Sequence, residues 1–181
     1  MSYTGGFVIG VTGKARGGKD TLAEQIHHVV GKGRAAKVAF ADPIKEMLKA
    51  LGVDDIDKYK TEKHPVLDVT SRVMMQTLGT DWGRDIIGES IWIDIAKKSG
   101  EGKEFLIISD VRFANEAKFV RDNGILIHVE GRGGIDTDHQ SEDGIPFELG
   151  DFKIDNSLDE GFLCHQADNL LQMLGMVQYY E

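Results

Sequence analysis

The run Gly13-Lys14-Ala15-Arg16-Gly17-Gly18-Lys19-Asp20-Thr21 sits between the apolar stretch Phe7-Val8-Ile9-Gly10-Val11-Thr12 and an amphipathic segment. That order reads as strand, glycine loop and helix. Gly13 and Gly18 enclose four residues and Lys19 follows at once, the spacing with which successive backbone N–H groups can converge on one anion. The start of the helix dipole and the Lys19 ammonium add positive charge at the same point, so the expected ligand is the polyphosphate of a nucleotide. The general template then asks for Ser or Thr to meet a divalent cation. Asp20 stands there instead, and the hydroxyl arrives one residue later at Thr21.

Short apolar runs rich in β-branched residues recur at 7–12, 36–40, 105–109 and 125–130, each closed by a turn signal and most followed by a helical pattern. That alternation is the mark of an α/β protein. Leu22, Ile26, Val29 and Val30 form a stripe at helical spacing after the loop. Further stripes are predicted at 43–51 (Ile44, Met47, Leu48, Leu51), 71–78, 85–98 (Ile87, Ile91, Ile95), 114–123 and 158–176 (Leu163, Ala167, Leu170, Leu174), all read as core. Residues 131–150 are rich in glycine and acidic residues and poor in periodic apolar positions, as expected of a lid.

The 181 residues suit one domain, and 41% hydrophobic with 28% charged residues is ordinary globular composition. A net charge of −9 argues against a nucleic-acid-coating surface, which needs a basic footprint, so an anionic ligand must be gripped locally. Cys164, the one cysteine, reads as an inert structural thiol in a reducing cytoplasm. The N-terminal residues lack a leader pattern and no apolar run reaches the ~20 residues needed to cross a bilayer, so no membrane association is expected.

Two further segments carry chemistry. The strand pattern at 105–108 runs into Ser109-Asp110-Val111-Arg112-Phe113-Ala114-Asn115-Glu116, which brings a metal-type carboxylate, a guanidinium and a second acid to the edge of the sheet where ligands of open α/β folds bind. Arg72 and Gln76 stand at i and i+4 on one helix face and can together read a phosphate and a base edge. Gly79 in Leu78-Gly79-Thr80-Asp81 reads as a glycine stop followed by a turn. Trp82 and Trp92 offer flat rings, with burial favoured for Trp92 between Ile91 and Ile93. Arg132, in Gly131-Arg132-Gly133-Gly134, stands where lid closure could deliver it or where it stays solvated. His139 and Glu142 are not assigned to a metal, and His27 and His28 are read as structural.

Taken jointly, the Gly-Lys-Asp-Thr of the loop, Gln76-Thr77-Leu78-Gly79-Thr80-Asp81-Trp82-Gly83-Arg84, Asp110-Val111-Arg112-Phe113 with Asn115-Glu116, and His139-Gln140-Ser141-Glu142 before Asp155-Asn156 resemble the bacteriophage-type deoxynucleoside monophosphate kinases. The resemblance runs from about residue 7 to the C-terminal helix. It implies a three-layer P-loop kinase fold, a parallel sheet with helices on both faces, and residues 1–181 as a single domain with an acceptor region at about 54–98 and a lid at about 131–150. It implies Mg²⁺-dependent transfer of the γ-phosphoryl of ATP to a dNMP. Gly13, Lys14, Ala15, Arg16, Gly17, Gly18, Lys19, Asp20 and Thr21 would hold ATP, with Asp20, Thr21 and Asp110 toward the metal. Arg72, Gln76, Gly79, Thr80, Trp82 and Trp92 would serve the acceptor. Asp110, Arg112 and Glu116 would lie near the reacting phosphates, and Lys19, Asp110, Arg112 and Arg132 would carry catalysis. An Asp at position 20 is typical of these kinases. The resemblance also implies a homodimer, with the apolar stretch 173–180 open either to forming it or to closing the core, and a place in the cytoplasm, the host's if the source is viral.

Two rivals stay open. A P-loop kinase of another small phosphorylated acceptor, phosphomevalonate-like, shares a Gly-Lys-Asp loop. A non-catalytic nucleotide switch would need an Asn-Lys-x-Asp signature, which the sequence lacks.

Overall fold

The computed structural model describes residues 3–133 and 144–177. The middle of the expected lid, with His139 and Glu142, lies outside the described residues. Two compact units are formed, one from residues 1–39 with 97–181 and one from residues 40–96.

The first unit is built on five parallel strands: β1 (Phe7–Gly13), β2 (Ala35–Val38), β3 (Phe105–Ile108), β4 (Gly124–Glu130) and β5 (Phe152–Asp155), in the order β2-β3-β1-β4-β5. Parallel strands joined by crossover helices have both faces covered, which is why β3 and the middle of β1 and β4 are buried at every position. Helix α1 (Lys19–Val30) and helix α6 (Glu160–Met173) lie together on one face, where Leu22, Ile26, Leu163 and Leu171 meet Ile9, Ile107 and Ile127 in one core cluster. A hydrogen bond from Gln25 Nε2 to Asp168 Oδ1 (2.7 Å) joins the two helices. On the other face lies α5 (Ala114–Asn123), packed so closely that a methyl group added at Gly10 would come within 2.7 Å of both γ-carbons of Val120. The sheet therefore has helices on both faces, as expected. Leu174, Met176 and Val177 pack against the core, so this part of the C-terminal stretch takes the core-closing role.

Strand β5 was not anticipated. It is four residues long at the edge of the sheet, and only Ile154 is fully buried, too short a pattern to show alternation. Helix α6 starts after the cap Asp159, whose carboxylate accepts the Phe162 N–H at 2.8 Å, rather than at residue 158. Cys164 is half-buried, and its thiol is pushed up by burial and by the carboxylates of Glu160 and Asp168, consistent with an inert role.

In the second unit, α2 (Asp42–Ala50) buries Ile44 and Leu48, but Leu51, expected in its stripe, is 61% exposed just past the helix end. A short 3₁₀ turn (Lys58–Lys60) follows, then α3 (Ser71–Gln76), capped by the Thr70 hydroxyl. The chain continues directly into a π-helical segment, Thr77–Ile87. The expected glycine stop at Gly79 is therefore replaced by a widened helix, whose last bond runs from Gly88 N to Gly83 O at 3.0 Å. The predicted helix 85–98 is two elements. Gly88, at φ +156°, breaks it, and α4 (Ile91–Ser99) starts afresh, straddling the edge of the unit. The break rotates the stripe: Ile87 and Ile95 are exposed, while Trp92, Ile93 and Ala96 are buried. Among the described residues, no helix is long and apolar enough to cross a membrane.

Candidate functional site

All five strands point their carboxyl ends to the same edge, and the glycine loop leaves β1 there. Its shape is strained in the way such loops require. Gly13 and Gly18 have φ of +144° and +93°, and Arg16, with a side chain, is held at +60°. A methyl group on Gly13 would lie 2.5 Å from the Val129 carbonyl oxygen of β4, and one on Gly17 would lie 2.9 Å from the Lys14 oxygen and 3.1 Å from the Arg132 oxygen. Lys19 is 8% exposed and donates from Nζ to the carbonyls of Gly13 (2.9 Å) and Lys14 (2.8 Å). A buried ammonium is costly without such partners. Arg16, Gly17, Gly18, Lys19, Asp20 and Thr21 surround a hollow of about 260 Å³ at the start of α1. Lys14, Arg16 and Asp20 are exposed, Ala15 and Thr21 half-buried.

The segment after β3 is drawn in beside the loop by a bond from Val111 N to Val11 O (3.0 Å), which places Asp110 and Arg112 at the carboxyl edge. Both are half-buried. Glu116 lies behind Arg112 and has a structural role there. It is 1% exposed, and its carboxylate accepts the backbone N–H groups of Arg112 (2.8 Å) and Phe113 (3.1 Å), capping α5 and fixing the turn that carries Arg112.

A second hollow, of about 440 Å³, adjoins the loop. Lys14, Arg112 and Arg132 bring positive charge to it and Glu130 negative, the latter paired with Lys153 at 2.7 Å. Arg132 also donates to the Leu158 carbonyl. His128 lines it too, and belongs to a cluster that the sequence reading missed. His128 Nε2 lies 2.9 Å from Asp151 Oδ2. Arg121 of α5 forks onto Asp151 (3.0 and 2.6 Å) and also reaches Glu148 (2.6 Å) and the Pro146 carbonyl (2.8 Å). Burial alone would raise the Asp151 pKa. Arg121, the Glu148 N–H and His128 outweigh it and hold the carboxyl down at about 2. The cluster fixes residues 146–151, and with them Ile145 at the wall of the hollow. A histidine inside the apolar strand pattern Ile-Leu-Ile-His-Val was the available signal, since a buried imidazole needs a partner; nothing in the sequence identified Asp151 as that partner.

In the second unit, Arg72 and Gln76 are half-buried on α3 and make no side-chain hydrogen bond among the described residues. Thr80 is half-buried and Trp82 is 37% exposed. Trp92 is 3% exposed, and its indole N–H donates to the Gly79 carbonyl at 2.8 Å. Its ring edge packs where a side chain at Gly83 would stand. Trp92 and Gly79 thus shape the unit from inside, and Trp82 is the ring left open to stacking.

A parallel sheet in this order, with a glycine loop and buried lysine at its carboxyl edge, defines a P-loop protein of the kinase fold. Over 96% of the chain it matches 99% of an unliganded sugar kinase from Janibacter sp. HTCC2649 at a TM-score of 0.50 and 13% identity, a likeness of fold. The family model for deoxynucleotide monophosphate kinase matches residues 49–162. The chain belongs to that family. It is 33% identical over 104 residues to the deoxynucleoside-5′-monophosphate kinase of Escherichia phage T5, and 31% identical over 160 residues to a putative deoxynucleotide monophosphate kinase of Acanthamoeba polyphaga mimivirus. These alignments cover 51% and 75% of the chain, and 42% and 80% of the respective relatives, so the chain spans less than half the length of the phage protein.

Proposed function

We propose that the chain transfers the γ-phosphoryl group of ATP to the 5′-phosphate of a deoxynucleoside monophosphate, giving ADP and the diphosphate, in the cytoplasm. The observation that carries this reading is the strained glycine loop with Lys19 drawn into it, beside a hollow to which Lys14, Arg112 and Arg132 bring positive charge. An acceptor phosphate oxygen bonds to the γ-phosphorus as the bond to the β–γ bridging oxygen breaks. The acceptor oxygen is already ionised, so no general base is needed, and catalysis reduces to alignment and stabilisation of charge. Loop N–H groups and Lys19 suit the donor phosphates, with Arg112 and Arg132 toward the migrating group. Arg72 suits the acceptor phosphate, Gln76 its base edge, Trp82 its ring, and Thr80 a further polar contact.

Among the described residues, no three His, Cys, Asp or Glu side chains gather into a metal cage. Asp20, Thr21 and Asp110 are hard oxygen donors, which fits Mg²⁺ held jointly by one or two protein groups, phosphate oxygens and water. When bound, that ion neutralises charge on the β- and γ-phosphates.

The test is incubation with γ-³²P-labelled ATP, Mg²⁺ and a panel of dNMPs, NMPs and phosphomevalonate. Label in a dNDP is expected. Label only in another acceptor, or hydrolysis without transfer, would overturn the reading.

A further inference from the structure

Among the groups around the loop, Asn156 is the one whose chemistry the mechanism above does not use. It follows β5, is 5% exposed, and its Nδ2 donates to the Gly17 carbonyl at 2.9 Å across 139 residues of sequence. Its own backbone is fixed, because its N–H donates to the Glu130 carbonyl at 2.8 Å and so closes the end of β4 against β5. Gly18 answers it from the loop. A methyl group there would run into the same carboxamide nitrogen, so position 18 needs glycine for its neighbour as well as for its φ of +93°.

The other end of the carboxamide is the informative one. Asn156 Oδ1 is buried and has no hydrogen-bond partner among the described residues. A side chain kept only to fill this space would do better as an apolar one, which leaves no lone oxygen unpaired. The residue is retained for its donor. The consequence follows from the planar trans peptide, in which the carbonyl of one residue and the N–H of the next point in opposite directions. No peptide bond in the described chain is cis. Pinning the Gly17 carbonyl to Asn156 therefore aims the Gly18 N–H the opposite way within the same peptide plane, away from Asn156.

We propose that Asn156 is a positioning residue for the phosphate loop: the donor from β5 to the Gly17 carbonyl holds the Gly18 amide in its anion-binding direction, so donor-nucleotide affinity depends on a hydrogen-bond donor at position 156. This rests on the reading of the loop as the ATP site. It extends that site to the opposite end of the sequence, where no phosphate-loop spacing reaches.

The test uses the near-isosteric Asn156→Asp and the larger, apolar Asn156→Leu, which keeps the branching at Cγ, with MgATP affinity measured by calorimetry at pH 8 and pH 6, each referred to wild type at the same pH. The charged residues facing that point are Lys14, Arg16, Lys19 and Asp20 of the loop and the start of α1, Glu130 and Arg132 at the end of β4, Lys153 and Asp155 on β5, and Asp159 and Glu160 at the start of α6. At pH 8 both variants should bind MgATP at least tenfold more weakly, with the dNMP KM within twofold of wild type. A buried aspartate protonates more readily than an exposed one, and the protonated acid carries an O–H donor. At pH 6, Asn156→Asp should therefore regain affinity while Asn156→Leu stays weak. Wild-type affinity in either variant at pH 8, or no gain of Asp over Leu at pH 6, overturns the proposal. If wild type itself binds no MgATP, the loop reading fails instead. Should the variants not fold, the wild-type side-chain amide decides: the Asn156 Nδ2 protons should exchange slowly and shift when MgATP is added, and exchange at the solvent rate refutes the bond.

Discussion

The Arg121–Asp151–His128 cluster makes the sharpest prediction about stability. The Asp151 carboxylate accepts from the Arg121 fork, the Glu148 N–H and His128, and its pKa is held at about 2 against an ordinary value of 3.8. A group whose folded pKa is depressed stabilises the fold above its unfolded pKa and loses that contribution as pH falls toward the folded value. The difference corresponds to about 2 kcal/mol, present at pH 7, declining below about pH 4 and gone near pH 2. For a chain of this size that is about 4–8 °C in Tm. Asn at 151 keeps the shape and removes the charge, turning one accepting oxygen into a donor that faces the Arg121 fork. Thermal and urea melts of wild type and Asp151→Asn across pH 7 to 3 should show the variant about 2–4 kcal/mol less stable at pH 7, with the gap closing as wild type protonates. Equal stability at pH 7, or a gap that stays constant down to pH 3, would refute the assignment of the stabilisation to this carboxylate.

Lys19→Met should lower transfer by at least about two orders of magnitude while secondary structure persists, read by turnover and circular dichroism together, because the ammonium is tied to carbonyls of its own loop and its charge is lost from the phosphates. Arg72→Ala and Gln76→Ala should raise the dNMP KM more than the ATP KM in steady-state kinetics; the reverse pattern would exchange the two sites. Asp110→Asn should lower kcat more than it raises either KM. The tryptophans should separate cleanly: Trp92→Phe leaves the Gly79 carbonyl without its donor and should cost about 1–3 kcal/mol in urea melts, whereas Trp82→Ala should leave the melt unchanged and weaken acceptor binding.

The parts legible in the sequence are those whose pattern is local. Strands β1, β3 and β4 are buried on both faces, so their apolar runs stand out, and the loop announces itself by spacing alone. What escaped is set by long-range partners. The spacing of Ile87, Ile91 and Ile95 imitates one helix, but it bridges Gly88, where the backbone turns. The widened helix at Thr77–Ile87 has no signature of its own, because Gly79 and Gly83 read as breakers until Ile44 and Trp92 are seen packed against them. The capping role of Glu116 toward the N–H groups of Arg112 and Phe113 was not legible either, since a capping carboxylate and one that faces a ligand look alike in sequence.

The loop itself carries the most general point. Its sequence spacing fixes which backbone groups can converge, but three contacts from the ends of two other strands decide that they do: Val129 of β4 closes on Gly13, the turn at Arg132 and Gly133 just past β4 lies against Ala15 and Gly17, and Asn156 beyond β5 bonds the Gly17 carbonyl. Arg16 at φ +60° shows why this support is needed, because a left-handed arginine is costly and persists only where its surroundings over-determine it. Lys19 then locks the inside, its ammonium tied to the consecutive carbonyls of Gly13 and Lys14 where the loop begins. A loop held from both sides pays little reorganisation when an anion arrives, so substitutions at these outer contacts should weaken phosphate binding without touching phosphate.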